Sequence, residues 1–229
     1  MRISGKKAVF FDLDHTLWDF EKNSAIAFQT IIEKYGLGIS HNEFNAHYSP
    51  INAKYWKLYR DGEITQQDLR YGRLKDTFDL LDFKVSDNLL HIVSEEYIEL
   101  LPVNSHLHDG TVEILEYLKS KYSLHIITNG PDKVQELKLR NSNLIHYFDT
   151  ITNSELAGCK KPHAGIFEYA LNLAKAEKSQ SIMIGDCIEA DVQGALDFGL
   201  DAIFYNEHKH EVSSAIKQVN HLLDLKTIL

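Results

Sequence analysis

The chain has 229 residues, of which 44% are hydrophobic and 25% are charged, and its formal net charge is −9 at pH 7. This length suits one domain with a large insertion or two small domains, and the composition is that of a globular protein rather than a disordered or fibrous one. No apolar stretch reaches the roughly 18 residues of a membrane span, and the negative charge, without any run of Lys and Arg, disfavours nucleic acid polymers and membrane surfaces as partners.

The first predicted element is a strand at Ala8 to Phe11, a continuous apolar run that ends abruptly in Asp12-Leu13-Asp14. A run without alternation is typical of a strand that is covered on both faces, as in a parallel sheet with helices on either side. The sequence therefore places the first strand inside such a sheet.

A block without strand patterns follows this strand. Four helical stretches are predicted at 21–35, 41–60, 65–80 and 86–100, with turn signals at Gly36-Leu37-Gly38 and Asp61-Gly62. An all-helical block inserted after the first strand of a sheet indicates a separate cap domain. We predict a core of residues 1–17 and 103–229 and a cap of residues 18–102.

Strands and helices alternate in the remainder of the chain. Further strands are predicted at 124–127, 181–184 and 201–205, with a weaker candidate at 148–151, and helix-period stretches lie at 111–121, 164–176 and 190–198. Such alternation produces right-handed βαβ units. The fold class is therefore α/β, with an open, Rossmann-like parallel sheet.

Polar residues follow three of the predicted strands, at the sheet edge where open α/β folds bind ligands. Asp12 and Asp14 follow the first strand, Thr128-Asn129 follows the second, and Asp186 follows the strand at 181–184, with Asp191 five residues beyond it. We expect these side chains to converge although they come from three distant parts of the sequence.

The two carboxylates of Asp12 and Asp14 point to the same side of an extended segment. At about 4 Å and an effective dielectric of ~20 they repel by roughly 4 kcal/mol, so positive charge or a shared proton must offset them. Asp186 adds a third carboxylate, which makes a hard divalent cation with oxygen ligands the natural occupant. We predict Mg²⁺.

Four motifs in this order resemble those of the haloacid dehalogenase (HAD) superfamily: Asp12-Leu13-Asp14-His15-Thr16-Leu17, Thr128-Asn129-Gly130, Lys160-Lys161-Pro162, and Gly185-Asp186 with Asp191. The helical insert directly after the first motif is similar to that of the C1-cap branch. The resemblance covers essentially the whole chain, and it implies a HAD-fold core with an all-helical C1 cap domain.

The resemblance also implies a mechanism. Asp12 would be the nucleophile that forms an aspartyl-phosphate, and Asp14 would protonate the departing alcohol and then deprotonate the attacking water. Mg²⁺ would be bound by the side chains of Asp12 and Asp186 and by the backbone carbonyl of Asp14.

Further residues take supporting roles by the same resemblance. The groups that would hold the phosphoryl group are the Thr128 side chain, the backbone amides of Leu13, Asp14 and Asn129, and the Lys161 ammonium. Asp191 would orient these groups without binding the metal directly. Lys160 competes with Lys161 for one role, and the Pro162 that follows favours Lys161.

The substrate class is indicated by the cap. The stretch Asn52 to Thr65, together with Tyr71-Gly72-Arg73, resembles the cap of the bacterial pyrimidine 5′-nucleotidase subfamily, which implies a small phosphorylated metabolite, a nucleoside 5′-monophosphate, as substrate. The candidates for contacting substrate are Tyr55, Trp56, Arg73 and His15, the last standing where many family members carry glycine. Packing and surface roles remain open for the cap residues.

The sequence leaves other functions open. A phosphatase or phosphomutase acting on sugar phosphates carries the same aspartates. A 2-haloacid dehalogenase shares the fold and the nucleophile but needs no proton donor such as Asp14. A non-catalytic phosphate-binding module is disfavoured because every polar group that the reaction requires is present.

The expected compartment follows from the cysteines and the first residues. Cys159 and Cys187 are too few for a disulfide framework. The basic first residues are followed by only a brief apolar run that ends in charge, unlike a secretory signal. A cytoplasmic protein is therefore expected.

Overall fold

The computed structural model describes residues 3–229, which divide into two units. One unit joins the residues up to Asp19 to Ser105–Leu229, and the other is Phe20–Asn104. Both junctions lie two residues beyond the predicted boundaries. Within the described residues, no helix has both the length and the apolar character that a bilayer span requires.

The first unit contains a parallel sheet with strand order β3-β2-β1-β4-β5-β6 in the part of the chain that the structure describes. The strands are β1 (Ala8–Phe11), β2 (Ser123–Thr128), β3 (Thr150–Asn153), β4 (Ser181–Gly185), β5 (Asp201–Tyr205) and β6 (Gln218–Val219). Ala8 pairs with Ser123 on one side and with Ser181 on the other, so β1 is central. The predicted α/β fold class is confirmed.

The second unit, Phe20–Asn104, is helical. Its helices are α1 (Phe20–Lys34), α2 (His41–Arg60), α3 (Gln66–Leu80) and α4 (Asp87–Leu100). Thr65 and Ser86 were predicted inside helices but precede α3 and α4 as N-caps, because their hydroxyl oxygens accept from the backbone amides of Asp68 and Leu89. Aromatic side chains fill this unit, with the rings of Phe28 and Tyr97 stacked at 4.2 Å between centroids.

The helices of the first unit flank the sheet. They are α5 (Thr111–Lys119), α6 (Asp132–Asn141), α7 (Ser154–Ala157), α8 (Ala164–Ala174), α9 (Gly194–Phe198) and α10 (Leu225–Ile228), with a π-helix at Ile188–Gln193 before α9. Ala8 and Phe10 of β1 share one core cluster with Ile166, Phe167 and Ala170 of α8. The core therefore lies between the sheet and its helices, and the polar strand ends are left at the sheet edge.

Several predictions for this unit differ from the structure, and the helix predicted at 164–176 ends at Ala174. The strand predicted at 148–151 is displaced to Thr150–Asn153, and α5 ends at Lys119 instead of residue 121. The sequence patterns also missed α6, the four-residue helices α7 and α10, and the two-residue β6. Of these, α6 bears on the candidate site.

Candidate active site

Asp12 follows the central strand β1 directly and is 7% exposed. Its backbone N–H donates to the Ile184 carbonyl at 2.9 Å, which continues the pairing of β1 with β4. The backbone of the residue is thus fixed by the sheet, and its carboxylate stands at the carboxyl edge where neighbouring strands also end.

Lys161 is the lysine that contacts Asp12. Its Nζ lies 2.6 Å from Asp12 Oδ1, 2.6 Å from Asp191 Oδ1 and 2.8 Å from the Ile127 carbonyl oxygen. An ammonium has three N–H donors, so these contacts account for all of them. Lys161 is only 2% exposed, and burial acts to lower its pKa, but the charges of Asp12 and Asp191 outweigh burial and raise it. The side chain is therefore a fixed cation.

Asp12, Asp186 and Asp191 form a carboxylate cluster in which one oxygen atom of each residue lies within 4.8 Å of those of the other two. Burial, opposed by Lys161 and reinforced by the charges of Asp191 and Asp186, raises the pKa of Asp12 well above its ordinary value. Burial and the charge of Asp191 raise the pKa of Asp186 to about 7. The cluster thus holds more negative charge than Lys161 neutralises.

This surplus of charge fits a bound cation. Every donor in the cluster is a carboxylate oxygen, the ligand type that Mg²⁺ and other hard divalent ions prefer. Asp191 is held by protein donors on both oxygens, since Lys161 contacts Oδ1 and the Cys187 N–H donates to Oδ2 at 3.0 Å. Asp191 is also the most enclosed of the three at 1% exposure, whereas Asp186 is half-buried, so Asp12 and Asp186 are the better placed side-chain ligands.

The Asp191 carboxylate packs tightly against the chain at Gly185. A Cβ atom at position 185 would lie 2.3 Å from Asp191 Oδ2, so a side chain there would displace the carboxylate. The glycine that ends β4 thus permits the approach that lets Asp191 reach Lys161.

Asp14 is held by two residues of α6. Lys138 Nζ donates to Asp14 Oδ1 at 2.5 Å, and Gln135 Nε2 donates to Asp14 Oδ2 at 3.0 Å. Both side chains are buried, with Lys138 2% exposed and Gln135 fully enclosed. The two aspartates after β1 thus have separate partners, since Lys161 contacts Asp12 and α6 contacts Asp14.

The residues after β2 connect these parts of the site. The Thr128 hydroxyl oxygen accepts from Gln135 Nε2 at 2.7 Å and from the Gly130 N–H at 3.2 Å. The Asn129 side chain spans the Lys161 backbone, donating to its carbonyl at 3.0 Å and accepting from its N–H at 2.7 Å. Asn129 therefore positions Lys161.

The turn after Asp14 has a backbone conformation at His15 that favours glycine. The Leu13 carbonyl accepts from the Trp18 N–H at 2.9 Å, which closes a tight turn, and within it His15 has φ 63°. Glycine adopts this left-handed conformation without the steric cost that a side chain brings. The backbone at position 15 is thus the one that the more usual glycine suits.

The candidate substrate contacts in the helical unit lie in different surroundings. Tyr55 donates to Asp76 Oδ2 at 3.0 Å and is partly exposed, as is Trp56. Arg73 is 3% exposed, and its Nη1 donates to Asn52 Oδ1 at 2.8 Å. Arg73 thus has a packing position inside the unit, and substrate contact by Tyr55 or Trp56 stays a prediction.

Three residues of the candidate site were not predicted from the sequence to have a role. Thr16 lies within the first motif, and its hydroxyl lies 3.4 Å from Asp12 Oδ2 and 3.2 Å from Asp186 Oδ1. Gln135 and Lys138 lie on α6, whose pattern was not recognised as helical. Their spacing of three residues was the available signal, because i and i+3 share a helix face.

Comparison with known proteins shows similarity across the chain. A model of the haloacid dehalogenase-like hydrolases matches residues 6–199. Pyrimidine 5′-nucleotidase YjjG of Escherichia coli (strain K12) is 29% identical over 228 residues, which is 96% of each chain. Pyrimidine 5′-nucleotidase PynA of Streptococcus pneumoniae (strain ATCC BAA-255 / R6) is 30% identical over 207 residues, covering 90% of this chain and 86% of that protein.

Another relative and a solved structure extend the comparison. A glyceraldehyde 3-phosphate phosphatase of Methanothermobacter thermautotrophicus is 28% identical, covering 97% of this chain and 99% of that protein. The crystal structure of the HAD-hydrolase YfnB from Bacillus subtilis, bound to magnesium, has a TM-score of 0.88 at 24% identity and covers 99% of this chain and 98% of that one. The sequence relatives thus include phosphatases of two substrate classes, and the structure shares the fold.

Proposed function

The chain belongs to the haloacid dehalogenase-like hydrolases, and on this premise we propose that it is a magnesium-dependent phosphatase that hydrolyses pyrimidine nucleoside 5′-monophosphates through an aspartyl-phosphate intermediate. The family predicted from the sequence is confirmed. The enzyme class is that of the phosphomonoester hydrolases, to which the named relatives belong.

The observation that carries the proposal is the division of labour between Asp12 and Asp14. Asp12 is buried against the fixed Lys161 cation, whereas Asp14 is contacted by separate donors on α6. Two carboxylates in different environments can take the different roles of nucleophile and acid–base. This arrangement supports phosphoryl transfer and not only phosphate binding.

In the first step, a carboxylate oxygen of Asp12 attacks the phosphorus atom and the bond to the ester oxygen breaks. Asp14 donates its proton to that oxygen, which leaves as the nucleoside hydroxyl. The Lys161 ammonium contacts the Asp12 carboxylate and supplies positive charge beside the phosphoryl oxygens. The Thr128 hydroxyl donates a hydrogen bond to the phosphoryl group.

In the second step, water attacks the phosphorus atom of the aspartyl-phosphate. Asp14, now ionised, takes a proton from the water, and the bond between phosphorus and the Asp12 oxygen breaks. Phosphate leaves, Asp12 is again a carboxylate and Asp14 is again protonated, so the catalytic cycle is closed.

Mg²⁺ would be held by the side chains of Asp12 and Asp186 and by the Asp14 carbonyl, and when bound it neutralises charge on the transferring phosphoryl group. The surplus of negative charge in the cluster supports this assignment, because burial and neighbouring charges raise the pKa values of both Asp12 and Asp186.

The nucleotide substrate is supported by the pyrimidine 5′-nucleotidases YjjG and PynA, which match nearly the full chain. A sugar phosphate is the second candidate, because a glyceraldehyde 3-phosphate phosphatase also matches nearly the full chain. Dehalogenation is disfavoured because Asp14 provides a proton donor that halide displacement does not need.

The test is release of phosphate by the purified protein from UMP, dUMP and dTMP in the presence of Mg²⁺, compared by kcat/KM with a panel of sugar phosphates. We expect the nucleotides to be preferred and EDTA to abolish turnover. Sugar phosphates hydrolysed readily, with no release from the nucleotides, would overturn the substrate assignment and leave the phosphatase class standing.

The nucleophile is tested separately by Asp12→Asn. We expect turnover to fall to background, because an amide cannot form the aspartyl-phosphate, and we expect wild-type protein trapped during turnover to carry phosphate on Asp12. Activity retained in this variant would contradict the assignment of Asp12.

A further inference from the structure

Two side chains of α6 contact Asp14 without taking part in the proposed proton and phosphoryl transfers. Gln135 and Lys138 are three residues apart and so lie on the same face of the helix. One donates to each oxygen of the Asp14 carboxylate, at 3.0 Å and 2.5 Å respectively. The carboxylate is therefore held by both of its ends from a single rigid element.

We propose that Gln135 and Lys138 are positioning residues that fix the orientation of the acid–base Asp14, and that Gln135 ties it to the phosphate-binding Thr128. This inference rests on the proposed function. It assigns to α6 a role in proton transfer, which neither Gln135 nor Lys138 carries out itself.

The buried position of Lys138 supports a role beyond packing. Its Nζ lies 4.4 Å from the centroid of the Trp18 ring, and the residue is 2% exposed. A buried ion pair is often no more stabilising than apolar side chains of similar volume, because removing both charges from water is costly. What the ammonium does supply is a fixed donor on one oxygen of Asp14.

The contacts leave room for the proton that Asp14 must carry. An ionised carboxylate has about four acceptor positions on its two oxygens. Lys138 and Gln135 each occupy one position, on different oxygens. Asp14 can therefore gain and lose a proton at a remaining position while the plane of the carboxylate stays fixed.

Gln135 links this carboxylate to the phosphate-binding side of the site. Its Nε2 also donates to the Thr128 hydroxyl at 2.7 Å, so one amide group contacts both residues. The amide packs on Gly130, where an added Cβ would lie 2.5 Å from Gln135 Cδ. The absence of a side chain at Gly130 thus makes the space for this contact.

The test compares two leaving groups in Lys138→Met, with Lys133→Met as the matched control on an exposed position of the same helix. The alcohol of UMP needs a proton as it departs, whereas p-nitrophenolate leaves without one. We therefore expect the rate of uridine release in the first turnover to fall at least about tenfold. A positioned acid–base residue contributes ~10²–10⁴-fold to the rate, and loss of its positioning should remove part of that factor. First-turnover release of p-nitrophenolate should match the control.

The same variant should also slow the second step, in which Asp14 activates water. With p-nitrophenyl phosphate we expect a burst of p-nitrophenolate followed by slow turnover, since the aspartyl-phosphate forms normally and is hydrolysed slowly. Equal losses in the first-turnover rates of both substrates would overturn the inference, because a general defect in folding or phosphate binding does not distinguish leaving groups.

A double-mutant cycle isolates the route through Asp14. In an Asp14→Asn background, Lys138→Met should cost no further activity, because the group that it positions is already gone. Additive losses would overturn the inference.

If Lys138→Met does not fold, as judged by circular dichroism, Gln135→Met supplies the same comparisons. Wild-type protein that releases phosphate from no substrate would overturn the proposed function, and this inference with it.

Discussion

Lys161 shows how one buried residue organises the site. Its ammonium bridges Asp12 and Asp191, and its backbone is held by Asn129. The residue type and its position before a proline were readable from the sequence, and so was its competition with Lys160. The contact with Asp191 was not, because it depends on the close approach of that carboxylate to Gly185.

Replacing Lys161 should therefore affect both folding and activity. Lys161→Met leaves two buried carboxylates without their cation, so we expect the free energy of unfolding to fall by about 3–5 kcal/mol and phosphate release to be lost. Lys160→Met is the matched control, with a loss below about 1 kcal/mol. Urea denaturation followed by circular dichroism checks this, and equal losses in the two variants would contradict it.

Asp186 gives the metal-free protein a specific pH dependence. Burial and the charge of Asp191 raise its pKa in the folded protein to about 7, from an ordinary value of 3.8. Between these values the folded state binds the additional proton, so this group's contribution to stability is greatest at acidic pH and is lost as pH rises toward 7.

The comparison that isolates this effect is Asp186→Asn against wild type in EDTA. The urea midpoint of the wild type, taken relative to that of the variant, should fall as pH rises from about 4 to about 7. Added Mg²⁺ should raise the wild-type midpoint at neutral pH and leave that of the variant nearly unchanged. If the urea midpoints of the two proteins change with pH in parallel, the raised pKa of Asp186 in the folded protein is contradicted.

At the scale of elements, α6 shows why the hydrophobic pattern of a sequence can fail to predict a helix. Its buried residues are Val134, Gln135, Lys138 and Leu139, so half of its inward face is polar. Apolar residues therefore do not recur at the helical period, and the sequence shows no amphipathic helix there. β3 was displaced for a similar reason, since it is bounded by Thr150 and Asn153 and its polar ends carry no apolar signal. The helices of the second unit bury apolar faces and were predicted nearly to their ends.

The N-terminus of α3 allows a direct test of how one helix end is stabilised. The Thr65 hydroxyl oxygen accepts from the Asp68 N–H at 3.1 Å, and the Asp68 carboxylate accepts from the Thr65 N–H at 2.9 Å, which is a capping box. We expect Thr65→Ala to lose about 1 kcal/mol of stability in urea denaturation, and Thr65→Ser to lose much less. Equal losses would show that the methyl group and not the hydroxyl stabilises the helix.

At the scale of the whole molecule, the sheet order explains why distant motifs form one site. β1 lies between β2 and β4, so the residues after these three strands emerge side by side at one edge. Continuous apolar runs were enough to predict a parallel sheet, and the carboxyl-edge rule was enough to predict that the candidate residues lie close together. The two-residue β6 was missed because so short a strand carries no pattern.

The central position of β1 also has a consequence for how the protein is made. Ala8 pairs with Ser123 and Ser181, so both partner strands are synthesised long after β1 has left the ribosome. Such distant pairing delays folding, whereas the contacts of the helical unit between them are local and can form during synthesis. The strand that leads into Asp12 and Asp14 is thus the first strand of the sheet to be synthesised, and it is paired on both sides only after β4 has emerged.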